Sequence, residues 1–193
     1  MALTREEVDQ LVAEAGSALQ AIQNEFARDG VAHARVRFPR GFIRTASSLR
    51  ANLPNLGSEV QRRNASYALM NLDTFRWLVV RTDLSGTALS MIVKEGISLL
   101  GALCEWLTKE ATRGHASRRP YIARTQKLVG LGHITSELKD ELDWVWNIRC
   151  NEHIHQVTSL EHEKYTRVDY NRAVNAYTEL RDVLVAIYGR VGA

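Results

Sequence analysis

The sequence predicts an all-α protein: a helical bundle of about five main helices in a single domain spanning residues 1–193. Three observations carry this. Apolar residues recur at helical spacing from Thr4 to Ile187, serine and threonine stand where N-caps are needed, and no segment alternates as a half-buried strand would.

Thr4 and Glu7 form a capping box that starts the first helix, Thr4–Arg28. Leu11, Ala15, Leu19, Ile22 and Phe26 make a stripe expected to be buried, and Gly30 ends the helix. Val31–Gly41 reads as a loop, since Pro39 forbids regular helix. Phe42–Leu53 reads as a short helix stopped by Pro54. Residues 1–57 thus form an N-terminal helical extension and basic loop. Ser58 caps a helix reaching about Arg81, with Val60, Tyr67, Met70, Leu78 and Val79 apolar. Ser85 caps the next, to about Glu110, whose Ile92, Leu99, Leu103 and Leu107 predict a largely buried rod. Gly114 and Pro120 break the pattern over Ala111–Arg124. Helix resumes over Thr125–Leu131, and Gly132 turns the chain into Ser136–Gln156. Val157–Val168 is a polar connector. Asp169 caps the last helix, with Tyr170, Ala173, Val174, Tyr177, Leu180, Leu184 and Ile187 as its stripe.

No run approaches the length of a membrane span, and Met1–Thr4 leads straight into charged helix, so the chain reads as cytoplasmic with no membrane partner. The two cysteines, Cys104 and Cys150, sit in helical patterns and read as reduced thiols. The net charge is only +3, but it is unevenly placed. From Arg28 to Arg63, which includes His33, Arg35, Arg37 and Arg40 of the Val31–Gly41 loop, only Asp29 and Glu59 oppose the arginines. Ala111–Lys127 carries Arg113, Arg118, Arg119, Arg124 and Lys127, opposed by no acid. Two acid-poor basic segments suit a polyanion such as RNA, although charged loops are also ordinary solvated surface.

Ser136–Gln156 holds the one unusual arrangement. Leu138, Leu142 and Val145 fall on one narrow stripe at about 100° per residue, and the next position on it is Arg149. Asn151, His153 and His155 follow. A guanidinium on an apolar stripe is costly unless satisfied. Either it snorkels and pairs with an acid on a neighbouring helix, or it faces a partner. His153 and His155 diverge by about 200° on a helix, so they do not form the i, i+4 pair of a helical metal site, and no metal is predicted. No phosphate-binding glycine loop, paired-cysteine zinc pattern or nucleophile elbow is present in the sequence, and no cofactor is implied.

Thr125–Tyr170, with GLGHITSELKDELDWVWNIRCNEHIH at its centre, resembles the C-terminal half of a HEPN domain. That family is an α-helical bundle marked by an arginine at a helix end followed, a few residues on, by a histidine. Here Cys150–Ile154 separate Arg149 from His155. The resemblance covers the last third of the chain, and the rest only as further helices. The position after the arginine, commonly polar in the family, is Cys150. Val157 stands where one HEPN toxin group has tyrosine.

The resemblance implies a metal-independent endoribonuclease, acting in defence or a toxin–antitoxin pair, with Arg149 and His155 catalytic. It also implies a homodimer that brings two motif helices together, with an antitoxin or regulatory protein as a further partner. Helix geometry alone places His153, at i+4, nearer Arg149 than His155, which points about 120° away. Asn151 and His153 therefore stand as supporting or alternative residues. The other reading is a non-catalytic HEPN-like module that binds RNA or a protein.

Overall fold

The computed structural model describes residues 2–115, 118–151 and 159–192. Among these there are seven α-helices: α1 (Arg5–Phe26), α2 (Ala46–Ala51), α3 (Glu59–Arg81), α4 (Gly86–Ala111), α5 (Tyr121–Gly130), α6 (Ser136–Cys150) and α7 (Arg167–Tyr188). No sheet forms among the described residues. The nearest thing to one is an isolated antiparallel bridge between Pro54 and Arg190, where Asn55 N–H donates to the Gly189 carbonyl and Val191 N–H to that of Leu53. The all-α prediction holds.

The chain divides into two units, residues 1–40 and 41–193. In the first, the Thr4–Glu7 capping box forms as the sequence predicts. The stripe of α1 does not behave as expected. No residue of α1 is buried, and Leu11 and Leu19 are about half exposed. Periodicity identifies a face that wants cover; it does not say that the chain supplies any.

The second unit begins with α2, which the sequence assigns to the N-terminal extension. Leu49, Leu53 and Leu56 enter the core of the second unit. Arg44, just before α2, donates from its backbone N–H, Nε and Nη2 to the Asp73 carboxylate of α3 at 2.9, 3.0 and 2.7 Å.

The centre is α4, which packs against α3, α5, α6 and α7. Val93, Ile97, Cys104 and Leu107 are fully buried along it. Contrary to the sequence expectation, α4 is long and apolar enough to cross a membrane by length and composition. Here it is the core rod, and two glycines let its neighbours close in. A Cβ on Gly96 would stand 2.6 Å from Cε2 of Tyr170 in α7, and one on Gly101 3.0 Å from Cβ of Arg149 in α6. Mid-helix glycine costs about 1 kcal/mol against alanine, so both mark close helix approach.

Several boundaries move for identifiable reasons. Helix α5 starts at Tyr121, directly after Pro120, four residues before the predicted Thr125. The basic run hid a helical turn, because arginine is a good helix former. The cap of α7 is Thr166, with Asp169 as the third residue of a capping box, not the cap itself. Ser85 occupies the cap position of α4 but its side chain makes no capping bond. Val60, Tyr67 and Ile187 point outward, while Ala65, Leu69 and Leu72 fill the buried face of α3.

Candidate functional site: an arginine pair beside a basic cleft

Helix α6 buries Leu138, Leu142, Val145 and Ile148 against the rest of its own unit, as its stripe predicts. Thr135 caps it, its hydroxyl accepting from the Leu138 N–H. Arg149 lies in the last turn. Its aliphatic stem runs over Gly101 of α4, where a side chain would block it. Glu105 is one turn further along α4, on the same face. Arg149 Nη2 stands 3.1 Å from Glu105 Oε2. The guanidinium carbon lies 4.9 Å from the Trp146 ring centroid, within the range of a cation–π contact. The side chain keeps 27% exposure, and its buried Nε has no hydrogen-bond partner. Of the two readings open to the sequence, this one is the pairing with an acid on a neighbouring helix. The stripe needs no second subunit to cover it, so it carries no argument for a dimer.

Glu105 also meets Arg124 of α5, whose Nη2 is 3.7 Å from Oε1. Arg124 donates through Nη1 to the Arg119 carbonyl at 2.8 Å and lies 5.7 Å from the Tyr121 ring centroid. Tyr121 stacks on Trp146, with centroids 4.5 Å apart and planes 9° from parallel. The five side chains therefore close a ring: Glu105 between two guanidiniums, and the aromatic pair between the same two. Burial pushes the Tyr121 phenol well above its ordinary value, so it stays protonated and donates to the Leu142 carbonyl.

This corrects one assignment. Arg124 is 6% exposed and holds α5 to α4, so it does not present a free charge to a nucleic-acid backbone. Arg113, Arg118 and Arg119 are exposed, and Lys127 is half-buried on α5. Lys109, Arg113, Arg118 and the edge of Arg124 line a cleft of about 510 Å³ whose single acid, Glu110, is paired with Arg113 at 2.5 Å. Arg119 and Lys127 do not line it. Arg124 thus touches both the cleft and Glu105, and Glu105 touches Arg149.

At the C-terminal end of α6, Asn151 is the cap, and its carbonyl accepts from Lys94 Nζ at 2.8 Å. The same ammonium pairs with Glu161. Tyr165 donates to the other Glu161 oxygen at 2.6 Å, and its N–H donates to Ser90 Oγ at 2.9 Å. Burial pulls the Glu161 carboxyl up, but the hydrogen bonds from Lys94 and Tyr165 outweigh it and hold the group below the usual carboxylate range. Burial, reinforced by Glu161, pushes the Tyr165 phenol up to about 12. Lys94 therefore gathers Asn151 and Glu161, the flanks of the span that carries the candidate histidines. His153 and His155 themselves lie outside the described residues.

Sequence reasoning missed Glu105, Trp146 with Tyr121, and Lys94. A signal for the first was present: Gly101 and Glu105 sit four apart on one face of α4, and Glu105 interrupts the apolar run from Leu99 to Leu107. No known family's model matches the chain, and neither does any curated protein or solved structure.

Proposed function

We propose that the chain is a metal-independent endoribonuclease of HEPN type, in which Arg149 and His155 act on an RNA phosphodiester. One observation supports this above the sequence resemblance: Arg149 is linked through Glu105 and Arg124 to a cleft lined by Lys109, Arg113 and Arg118. An RNA backbone in that cleft would meet Lys109, Arg113 and Arg118, and arginine and lysine suit phosphate there.

The chemistry needs little else. The ribose 2′-OH attacks the adjacent phosphorus, forming the P–O2′ bond as the P–O5′ bond breaks. The histidine moves the proton, and the guanidinium meets the charge that develops on the phosphorane. The products are a 2′,3′-cyclic phosphate and a 5′-hydroxyl. His153 is the alternative proton carrier. Asn151 supports through its carbonyl bond to Lys94. The homodimer, the antitoxin or regulatory partner and the role in defence belong to this reading through the resemblance alone.

The second reading is a non-catalytic module that binds RNA or a protein. What favours it is the engagement of Arg149 by both Glu105 and Trp146, as in a structural arginine. Incubating purified protein with total RNA in EDTA separates the two. Fragments ending in 2′,3′-cyclic phosphate support the nuclease. RNA retained intact by a protein that binds it supports the module.

A further inference from the structure

A second polar site lies between α2, α3 and α7, with no residue in common with the basic cleft. It is a cavity of about 140 Å³. Since one water-sized group needs roughly 10–15 Å³ on this measure, it has room for a molecule of several heavy atoms. Its floor is apolar: Leu53 and Leu100 are almost wholly buried, and Leu69, Leu72 and Val174 stand beside them. Its rim carries Arg44, Arg76 and Arg181 against a single acid, Asp73.

The charges are not balanced by that acid. Asp73 is 4% exposed, and Arg44 takes up both of its oxygens. Arg181 turns to Asp182, an acid 61% exposed and held in water, where such a pair contributes little. Arg76 has no ion pair among the described residues. Tyr177 adds a third polar element. It is 4% exposed, and its buried hydroxyl has no hydrogen-bond partner. Tyr170 in the same wall is satisfied, donating to the Leu72 carbonyl at 3.3 Å. An unpartnered buried hydroxyl costs about 1–3 kcal/mol, so its presence in the same wall as Arg76 and Arg181 calls for an acceptor.

We infer that this cavity binds a small molecule with a short apolar body and one oxyanion head, a carboxylate or a phosphate monoester. The leucine floor takes the body. Arg76, Arg181 and the Tyr177 hydroxyl take the head, the guanidiniums as charge-assisted donors. Burial keeps the phenol protonated, so it donates. The inference is independent of the nuclease reading, because none of its residues belongs to the Arg149 region.

The test is titration calorimetry on the full chain at constant ionic strength, with butanoate, monobutyl phosphate and inorganic phosphate as probes. The expected result is saturable binding of one of the first two, tighter than inorganic phosphate, which also identifies the head. Tyr177→Phe should weaken it about tenfold, the value of one lost hydrogen bond. Arg76→Gln with Arg181→Gln, two residues near the surface, should weaken it by more than that while the melting temperature holds. Three results overturn the inference: no saturable heat with any probe up to about 10 mM, inorganic phosphate binding as well as the butyl compounds, or affinity unchanged in the arginine double variant.

Discussion

Glu105 Oε2 stands 3.1 Å from Nη2 of Arg149, so the arginine that interrupts the apolar stripe of α6 is met by a carboxylate on α4. The same carboxylate faces Arg124. Removing it leaves two guanidiniums, Arg149 partly exposed and Arg124 buried, with no carboxylate between them. Glu105→Ala should cost about 1–2 kcal/mol, between an exposed pair and a fully buried one. Adding Arg149→Met should recover part of that, because one of the two unpaired charges is gone and the apolar side chain still covers Gly101. Urea denaturation of the single and double variants measures both. Equal midpoints for Glu105→Ala and wild type would contradict the pairing.

Gly96 is a second test of how closely the helices approach. In an open helix, glycine to alanine gains about 1 kcal/mol. Here the new Cβ would meet the Tyr170 ring at 2.6 Å, and overpacking of this kind costs typically 1–3 kcal/mol. Gly96→Ala should therefore lower stability. Gly16→Ala in α1, where nothing lies within 4 Å of the added carbon, should not. A thermal melt of each variant reads the difference in sign.

The Lys94–Glu161 pair sets a pH dependence. The folded Glu161 carboxyl lies below its ordinary value, since Lys94 and Tyr165 outweigh the effect of burial. A depressed carboxyl stabilises the fold above its unfolded value, near pH 4.3, and that contribution is lost as pH falls through the folded value. Stability should thus decline below about pH 4 in the wild type. Glu161→Gln should show a shallower decline over the same range, because it has no such proton to take up. Parallel curves would remove Glu161 as a contributor.

The basic cleft separates two arginines that sequence spacing treats alike. Lys109→Ala with Arg118→Ala, both exposed in the cleft and in no ion pair among the described residues, should weaken RNA binding and reduce its salt slope by about 2, one per lost phosphate contact, without changing the melt. Arg124→Ala should instead destabilise the fold, since its guanidinium is buried between Glu105 and the Arg119 carbonyl. Fluorescence anisotropy at several salt concentrations, alongside thermal melts, distinguishes the two.

Much of this was legible from residue spacing. The stripe of Leu138, Leu142 and Val145 and the intrusion of Arg149 into it follow from a fixed helical period, and the Thr4–Glu7 capping box from the residue types three positions apart. What spacing does not encode is which helix lies opposite. Glu105 precedes Arg149 by more than forty residues, and nothing local says that their helices cross at Gly101. The same gap explains α1, whose stripe has the right period yet leaves Leu11 and Leu19 about half exposed. It also explains Arg124, which reads as one more charge in a basic run until α5 extends back to Tyr121 and turns it inward. Cys104, which its helical pattern marks only as a reduced thiol, lies fully buried on α4, and burial pushes the thiol up to about 12.

In the proposed nuclease, Arg149, one turn beyond Val145 on α6, acts on RNA together with His155 or His153. The direct measurement is the single-turnover cleavage rate in EDTA for wild type, Arg149→Ala, His155→Ala and His153→Ala, each first shown to be folded. The account predicts a loss on the order of a hundredfold or more for Arg149→Ala, from charge no longer met in the transition state. It predicts a loss of roughly a hundred- to ten-thousandfold for His155→Ala, from proton transfer, and a smaller one for His153→Ala. A dead His153→Ala beside an active His155→Ala would keep the reaction and reassign its proton carrier. Equal rates for wild type, Arg149→Ala and both histidine variants would contradict the account.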